Sequence, residues 1–467
     1  MVTQTVTKIV GKSEETQTEK TWYQVVVVST ISLVSLNCGI SFAWPSPFLI
    51  KLVNDKENYN ISEEEGSYFS VISIVAVVIL PVFLSLIVNQ IGRKRLLLLT
   101  AFPYVTAYVL AAFSRNIWLF YLARLITGIG DCIAYTCLVV FIAEISSPQV
   151  RGTWGNAIVW SGFLGQFIIN VLGLYCSVMV ASLVCAVFPV IFLFIFVFMP
   201  ESPYFYLNKG QDEEAKVSLR RLKRKNNVEE EFSRLKEVME KELKESGSWS
   251  DLVTNKTNRR ALFAAIFLRV SQIFSGIFTL GPYIQFIFLK SGTNISMELS
   301  TILFTFINFV LYSAASYGSN KLGRRVSLIS SLLGTSIIFL LEAAYFFVDT
   351  FYLDINLKPI QWFPLVGLIL FLVVSSYGIG TVPFLMPGEL FAPNIKAQGI
   401  SVVISAFGLS NLIMNTLFYS LNNVTGLGGP FLVFGLCNII SAVVVYKFIP
   451  ETKNKTLEEI QIILSKM

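Results

Sequence analysis

Glu144-Ile-Ser-Ser-Pro148-Gln-Val-Arg151 returns later in the chain as Glu389-Leu-Phe-Ala-Pro393-Asn-Ile-Lys396. Both copies place an acid, a proline four residues on, then an aliphatic and a base at plus seven. Two further phrases recur in the same order: Gly92-Arg93-Lys94 with Gly323-Arg324-Arg325, and Pro200-Glu201-Ser202 with Pro450-Glu451-Thr452. The offsets are 231, 245 and 250 residues, so the second half of the chain repeats the first. Every copy sits where a long apolar run ends, which puts clustered charge at the edge of a membrane.

Composition agrees. With 54% hydrophobic residues, 14% charged and a mean hydropathy of +0.65, the chain is too apolar for a soluble globule. The first 20 residues are polar and lack an apolar core with a small-residue cleavage site, so the first span is expected to direct insertion. The net charge of +6 reflects loop bias rather than a nucleic-acid surface. All six cysteines (Cys38, Cys132, Cys137, Cys176, Cys185 and Cys437) lie in or beside apolar runs and read as small buried hydrophobes. Histidine is absent, which removes the commonest general base and metal ligand. No metal site, cofactor or enzymatic activity is expected.

A helix needs about 20 mostly apolar residues to cross a bilayer. Twelve stretches qualify, roughly 24–44, 67–90, 96–114, 118–143, 155–175, 178–199, 261–289, 298–319, 326–348, 362–387, 398–420 and 429–449. Helices are required because lipid satisfies no free backbone group. The fold expected is an all-α bundle of two pseudo-symmetric six-helix halves. Residues 1–200 form the first half with its tail, 201–260 a linker, 261–450 the second half and 451–467 a tail. Lys8, Lys12 and Lys20, then Arg93, Lys94, Arg95, Arg151, Lys321, Arg324, Arg325, Lys396, Lys453 and Lys455 all fall on one side. That side is expected to be cytoplasmic, with both termini inside. Asn60, Asn294 and Asn423 head glycosylation sequons on loops expected outside. Residues 201–260 mix Lys, Arg and Glu at helix-compatible spacing, which suits either short amphipathic helices under the bundle or a solvated linker.

Taken together, six plus six spans, a charged central loop and the repeated Gly-Arg-Lys/Arg resemble the major facilitator superfamily, and within it the sugar porters. The residues that carry this are Asn89-Gln-Ile-Gly92-Arg93-Lys94, Arg124, Glu144 with Arg151-Gly152, Pro200-Glu201-Ser202-Pro203, Gln272 with Ser275-Gly276, Gly323-Arg324-Arg325, Pro383, Glu389-Leu-Phe391 and Pro450-Glu451-Thr452-Lys453. Ala43-Trp44-Pro45-Ser46-Pro47 in span one is similar to the arthropod trehalose-facilitator branch. The resemblance implies facilitated transport of a small sugar, a hexose or a trehalose-like disaccharide, at the plasma membrane by a protein working as a monomer. It also implies that Gln272, Asn308 and Asn411 occupy amide positions of the sugar site, with Phe384 where the family usually has tryptophan.

Charge in the bilayer centre costs about 3 kcal/mol on insertion scales, so charges gather at helix ends and pair. Arg93, Lys94, Glu144, Arg151, Glu201, Arg324, Arg325, Glu389, Lys396 and Glu451 are expected to form a cytoplasmic latch between the halves; a plain topology signal is the alternative. Gly276 and Pro282 in span seven, and Gly380 and Pro383 in span ten, mark helices expected to break near mid-membrane, where a solute site would lie.

Departures from the sugar-porter pattern stand beside the matches. Ile273 and Phe278 replace a glutamine and an asparagine of span seven, Val159 a glutamine of span five, and Phe407-Gly408 an Asn-Trp pair of span eleven. Each lost partner leaves a solute hydroxyl unpaired at roughly 1–3 kcal/mol. Gln90 and Tyr204 replace two motif arginines, which lightens the latch. Span one, from Asn37 to Trp44, lacks the acid of proton-driven relatives, so uniport is the default. Asp131 keeps proton-coupled symport open, against a structural pairing with Arg124; Glu342 poses the same question. A non-transporting sugar sensor is disfavoured, since such sensors usually carry long tails and the chain runs 17 residues past Pro450.

Overall fold

The structure, a computed structural model, describes residues 21–147, 150, 154, 155, 157–244, 249–291, 295–318, 323–352, 354, 356–392, 395–453, 455 and 457–466. Twelve spans among them are long and apolar enough to cross a membrane, with mean hydropathy between 1.4 and 3.1. No strand occurs among the described residues. Many large apolar side chains point outward, Phe83, Phe194 and Phe198 among them. In water that belt would be a liability; in lipid it is the solvated face.

Span one is two helices, Trp22–Ala43 and Pro45–Asn54, jointed at Trp44. Proline fixes its own φ and lacks an N–H, so it starts a helix more readily than it continues one. Span two, Glu63–Ile91, begins with a capping box: Ser62 Oγ accepts from Glu65 N while Ser62 N donates to the Glu65 carboxylate. Span three is divided at Thr100, and spans four to six run Ile117–Ile145, Ala157–Tyr175 and Val178–Phe196.

Span seven consists of Lys256–Phe274 and Ile277–Ser291, broken at Ser275-Gly276. Gly276 takes φ +87°, and an added Cβ would lie 3.2 Å from the Phe339 and Phe434 rings. Pro282, expected at a break, instead sits inside the second of these helices. Spans eight and nine are Met297–Gly318 and Arg324–Phe351. Span ten breaks as its glycines suggest, into Phe363–Ser376 and Val382–Leu390. Spans eleven and twelve are Lys396–Thr425 and Gly428–Phe448.

Spans one to six pack around one apolar core and spans seven to twelve around two adjoining ones. The halves meet along two seams. Span two lies against span eleven, where Gly408 touches the Val77 and Val78 backbone. Span five lies against span eight through the ring pairs Phe163–Tyr312, Trp160–Phe309 and Phe167–Phe306. The described residues between 203 and 254 carry four short helices, three of them sharing a small core of Leu207, Ala215, Leu219, Val228 and Phe232. A last helix, Leu457–Lys466, lies beneath the second half and buries Ile460 and Leu464.

Candidate functional site

The repeated phrases fold into the same object twice. In the first half, Lys94 N donates to both oxygens of Glu201 at 3.0 and 3.1 Å, and Lys94 Nζ to Val197 O at 2.8 Å. In the second, Arg324 N and Arg325 N donate to Glu451 at 2.9 and 3.0 Å, and Arg325 Nη2 to Tyr446 O. A carboxylate thus caps the positive N-terminus of spans three and nine. Glycine precedes each base pair because the acid comes so close: a Cβ on Gly92 would lie 2.6 Å from Glu201 Oε2, and one on Gly323 2.6 Å from Glu451 Oε2.

The acids of the longest repeat complete each cluster. Arg93 Nη2 pairs with Glu144 Oε1 at 3.2 Å, and Arg324 Nη2 with Glu389 Oε1 at 3.6 Å, while Thr452 Oγ1 donates to Glu389 at 2.6 Å. Each of these described pairs joins helix ends of one half, where the caps already hold the motif bases. Lys396 sits near Gly388, also in its own half; Arg151 lies outside the described residues.

Burial pushes the Glu201 carboxyl above its ordinary value despite the Lys94 and Ser202 N–H groups. Burial acts on Glu451 too, but the N–H groups of Lys453, Arg325, Arg324 and Thr452 outweigh it and hold that carboxyl low.

Two adjoining cavities lie between the halves. The larger holds about 490 Å³ of empty space, its mouth included, and is lined by Phe42, Ser70, Ser73, Ile74, Val77, Arg124, Asp131, Tyr135, Phe278, Pro282, Phe407, Asn411 and Asn415. The second, about 370 Å³, is lined by Phe42, Phe163, Gln166, Ile277, Phe278, Gly281, Phe304, Asn308, Tyr312, Phe371, Leu372 and Ser375. Phe42 and Phe278 border both, edge to face at 5.8 Å. Amides, hydroxyls and aromatic faces on the two walls suit a polyol, whose hydroxyls need partners and whose C–H surface packs on rings.

The polar wall of the first half is a closed knot. Arg124 donates through Nε to Phe69 O at 2.9 Å, through Nη1 to Ser41 O at 2.7 Å and through Nη2 to Ser73 Oγ at 3.0 Å. Asp131 accepts from Ser41 Oγ at 2.9 Å and Tyr104 OH at 2.7 Å. The two charged groups are therefore linked through Ser41 rather than paired directly.

Of the expected site residues, Asn308 and Asn411 line the cavities. Asn308 keeps an unpartnered Oδ1, and Asn411 Oδ1 accepts from Asn415 at 2.6 Å. Gln272 lines neither. Its Nε2 donates to the carbonyls of Ile379 and Gly380, which the break in span ten leaves without helical partners. Phe384 packs on Phe278, with ring centroids 6.2 Å apart. Pro383 opens the lower helix of span ten, and Gly380 lies against Tyr312, where a Cβ would come 2.0 Å from the hydroxyl. Glu342 is buried between spans nine and ten, away from both cavities, with neither carboxylate oxygen hydrogen-bonded. Asn60 and Asn423 are exposed; Asn294 lies outside the described residues.

Tyr135 and Asn415, which line the larger cavity, and Arg269, which stands behind its Phe407 wall, were not singled out by the sequence reading. Arg269 stands alone as a charge within the apolar run 261–289, and that isolation was the available signal.

The family model of sugar (and other) transporters matches residues 12–464. The chain belongs to that family. As a sugar transporter of the major facilitator superfamily it is a multi-pass membrane protein, and its family consists of transporters rather than enzymes. The facilitated trehalose transporter Tret1 of Culex quinquefasciatus is 28% identical over 453 residues, covering 96% of this chain and 87% of that protein. Tret1 of Polypedilum vanderplanki is 28% identical over 441 residues, covering 94% and 87%. Among solved structures, the inward-open xylose transporter XylE from E. coli superposes with a TM-score of 0.75 at 19% identity, covering 94% of this sugar transporter and 99% of that chain. XylE bound to 6-bromo-6-deoxy-D-glucose, described as a proton:xylose symporter, gives 0.74 at 19% identity, with the same coverage. Those likenesses show the fold.

Proposed function

We propose that this sugar transporter carries a small sugar, a hexose or a trehalose-like disaccharide, across the plasma membrane by facilitated diffusion through alternating access. The observation that carries the reading is the pair of amide- and aromatic-lined cavities between the halves, bordered by the broken span seven. Similarity to facilitated trehalose transporters supports uniport and the solute class. In this reading both termini and residues 201–260 are cytoplasmic, the halves are residues 1–200 and 261–450, and residues 451–467 are a tail. Asn60 and Asn423 face outside as glycosylation sites. Asn308 and Asn411 bind solute hydroxyls, Phe278 and Phe42 pack on its C–H face, and Gln272 holds the break of span ten in register. The hinges are Gly276, Gly380 and Pro383. The two capped clusters stiffen the cytoplasmic end of each half so that it moves as a unit.

Proton-coupled symport through Asp131 is the second reading, favoured by that carboxylate's place on the cavity wall. Against it, both Asp131 oxygens already accept hydrogen bonds from its own half. Uptake of radiolabelled glucose, fructose and trehalose into vesicles tests both. Saturable uptake that ignores a pH gradient and falls at least about tenfold in Asn308→Ala is expected. No saturable uptake of any sugar would sink the assignment. Accumulation driven by a pH gradient and abolished in Asp131→Asn would replace uniport with symport.

A further inference from the structure

Arg269 lies within the cytoplasmic part of span seven and is 8% exposed. Its guanidinium carbon sits 4.1 Å from the centroid of the Phe384 ring and 4.2 Å from that of Phe407. One N–H donates to Gln272 Oε1 at 2.6 Å. A guanidinium carries five such donors and no acceptor. Among the described residues no other hydrogen bond engages it, and no carboxylate lies within 4.0 Å of it. Its remaining nitrogens are not fully sealed from solvent, although Arg269 lines neither cavity itself.

Bracing the Gln272 oxygen needs one neutral donor. A full cation is more than the brace requires, and a buried cation without a counter-charge is expensive. Ring faces soften that charge without neutralising it. Phe407, on which the guanidinium stacks, also lines the larger cavity, where it meets Tyr135 edge to face at 6.2 Å. Arg269 therefore stands directly behind the cavity wall. The two charges on that wall, Arg124 and Asp131, are both held by their own half. Counted together, the three groups leave one positive charge in excess, and that charge has unused donors.

We propose that the central site takes a sugar bearing an oxyanion, preferentially a carboxylate as in a uronate or aldonate, and that Arg269 is the residue that reads the anion. This rests on the sugar-transport reading and narrows its solute class. A planar carboxylate matches the guanidinium fork in two parallel hydrogen bonds. It also balances the single excess charge, which a dianionic phosphate ester overshoots.

The test is competition in vesicles holding the parent protein, with labelled glucose and labelled glucuronate each as tracer. Unlabelled glucuronate, gluconate and glucose 6-phosphate are the competitors. Glucuronate should enter saturably and compete at concentrations about tenfold below glucose. In Arg269→Gln the preference for glucuronate over glucose should fall by about tenfold or more, and Arg269→Lys should restore part of it. Neutral sugars entering while glucuronate neither enters nor competes would overturn the proposal and leave the transport reading intact. Failure of every sugar, charged or neutral, would fail the transport reading itself. Glucose 6-phosphate competing better than glucuronate would overturn the carboxylate assignment. Should Arg269→Gln fail to fold, the competition order in the parent protein decides by itself.

Discussion

The two halves each bury an arginine within a spanning helix and treat it differently. Arg124 distributes its fork over two backbone carbonyls and a serine, and a carboxylate is linked to it through Ser41. Arg269 makes one hydrogen bond and is otherwise held between two rings. The first arrangement fastens spans one, two and four together. The second leaves donors free beside a cavity. Burial of the same residue type is thus a fastening in one half and an unfilled valence in the other; counting donors distinguishes them.

The sharpest way to break that comparison is to remove both arginines separately. Arg124→Leu removes three hydrogen bonds from the joint of spans one, two and four and should destabilise the fold by roughly 3 kcal/mol or more. Arg269→Leu removes one hydrogen bond and relieves an unpaired charge, so its thermal unfolding in detergent should stay much closer to the parent. Equal losses in the two variants would show that Arg269 is as structural as Arg124.

A smaller effect is expected at the repeated caps. Alanine at Gly92 or Gly323 pushes a Cβ to 2.6 Å from the capping carboxylate and should displace it. Transport should slow in both variants, more in Gly92→Ala because φ +100° adds backbone strain there. Exchange rates equal to the parent's would mean that the caps do not stiffen the moving halves.

The smallest effect separates the caps by pH. Glu451 is held below its ordinary value, so its contribution is present above the unfolded carboxylate value of about 4.3 and is lost as pH falls through the lower folded one. Glu201 has the opposite sign: its folded value is raised, so its contribution is present below the unfolded value and lost as pH rises through the folded one. Near pH 7, Glu451→Gln should therefore lower the unfolding temperature more than Glu201→Gln. On acidification toward pH 5 the Glu201→Gln effect should grow, while the Glu451→Gln effect shrinks only as pH falls below about 4.3. The reverse ranking would show that burial has been misjudged at one of the two sites.

The spans and their pairing into halves were legible because each leaves a local trace: an apolar run or a repeated phrase. The break at Gly276 was legible for the same reason. The task of Gln272 was not, since the carbonyls it satisfies lie more than a hundred residues away on span ten. A matched motif gave the residue type and missed its direction. Arg269 went unread because its meaning depends on what does not face it, and a missing partner is visible only once the fold has placed every acid. Which half each charge would pair with was not legible on the same ground: sequence spacing shows which charges share an edge, and the described pairs of Arg93 with Glu144 and Arg324 with Glu389 fall within one half.

The helix Leu457–Lys466 carries a consequence of its own. Arg260, at the foot of span seven, donates to the carbonyls of Leu464 and Ser465, while Gln461 donates to the carbonyl of Leu390, at the foot of span ten. The two broken spans that border the site are thereby yoked at one end by a single crossbar. If the proposed alternating access holds, the two share one stroke, and a shortened tail would let each rod rock out of time with the other.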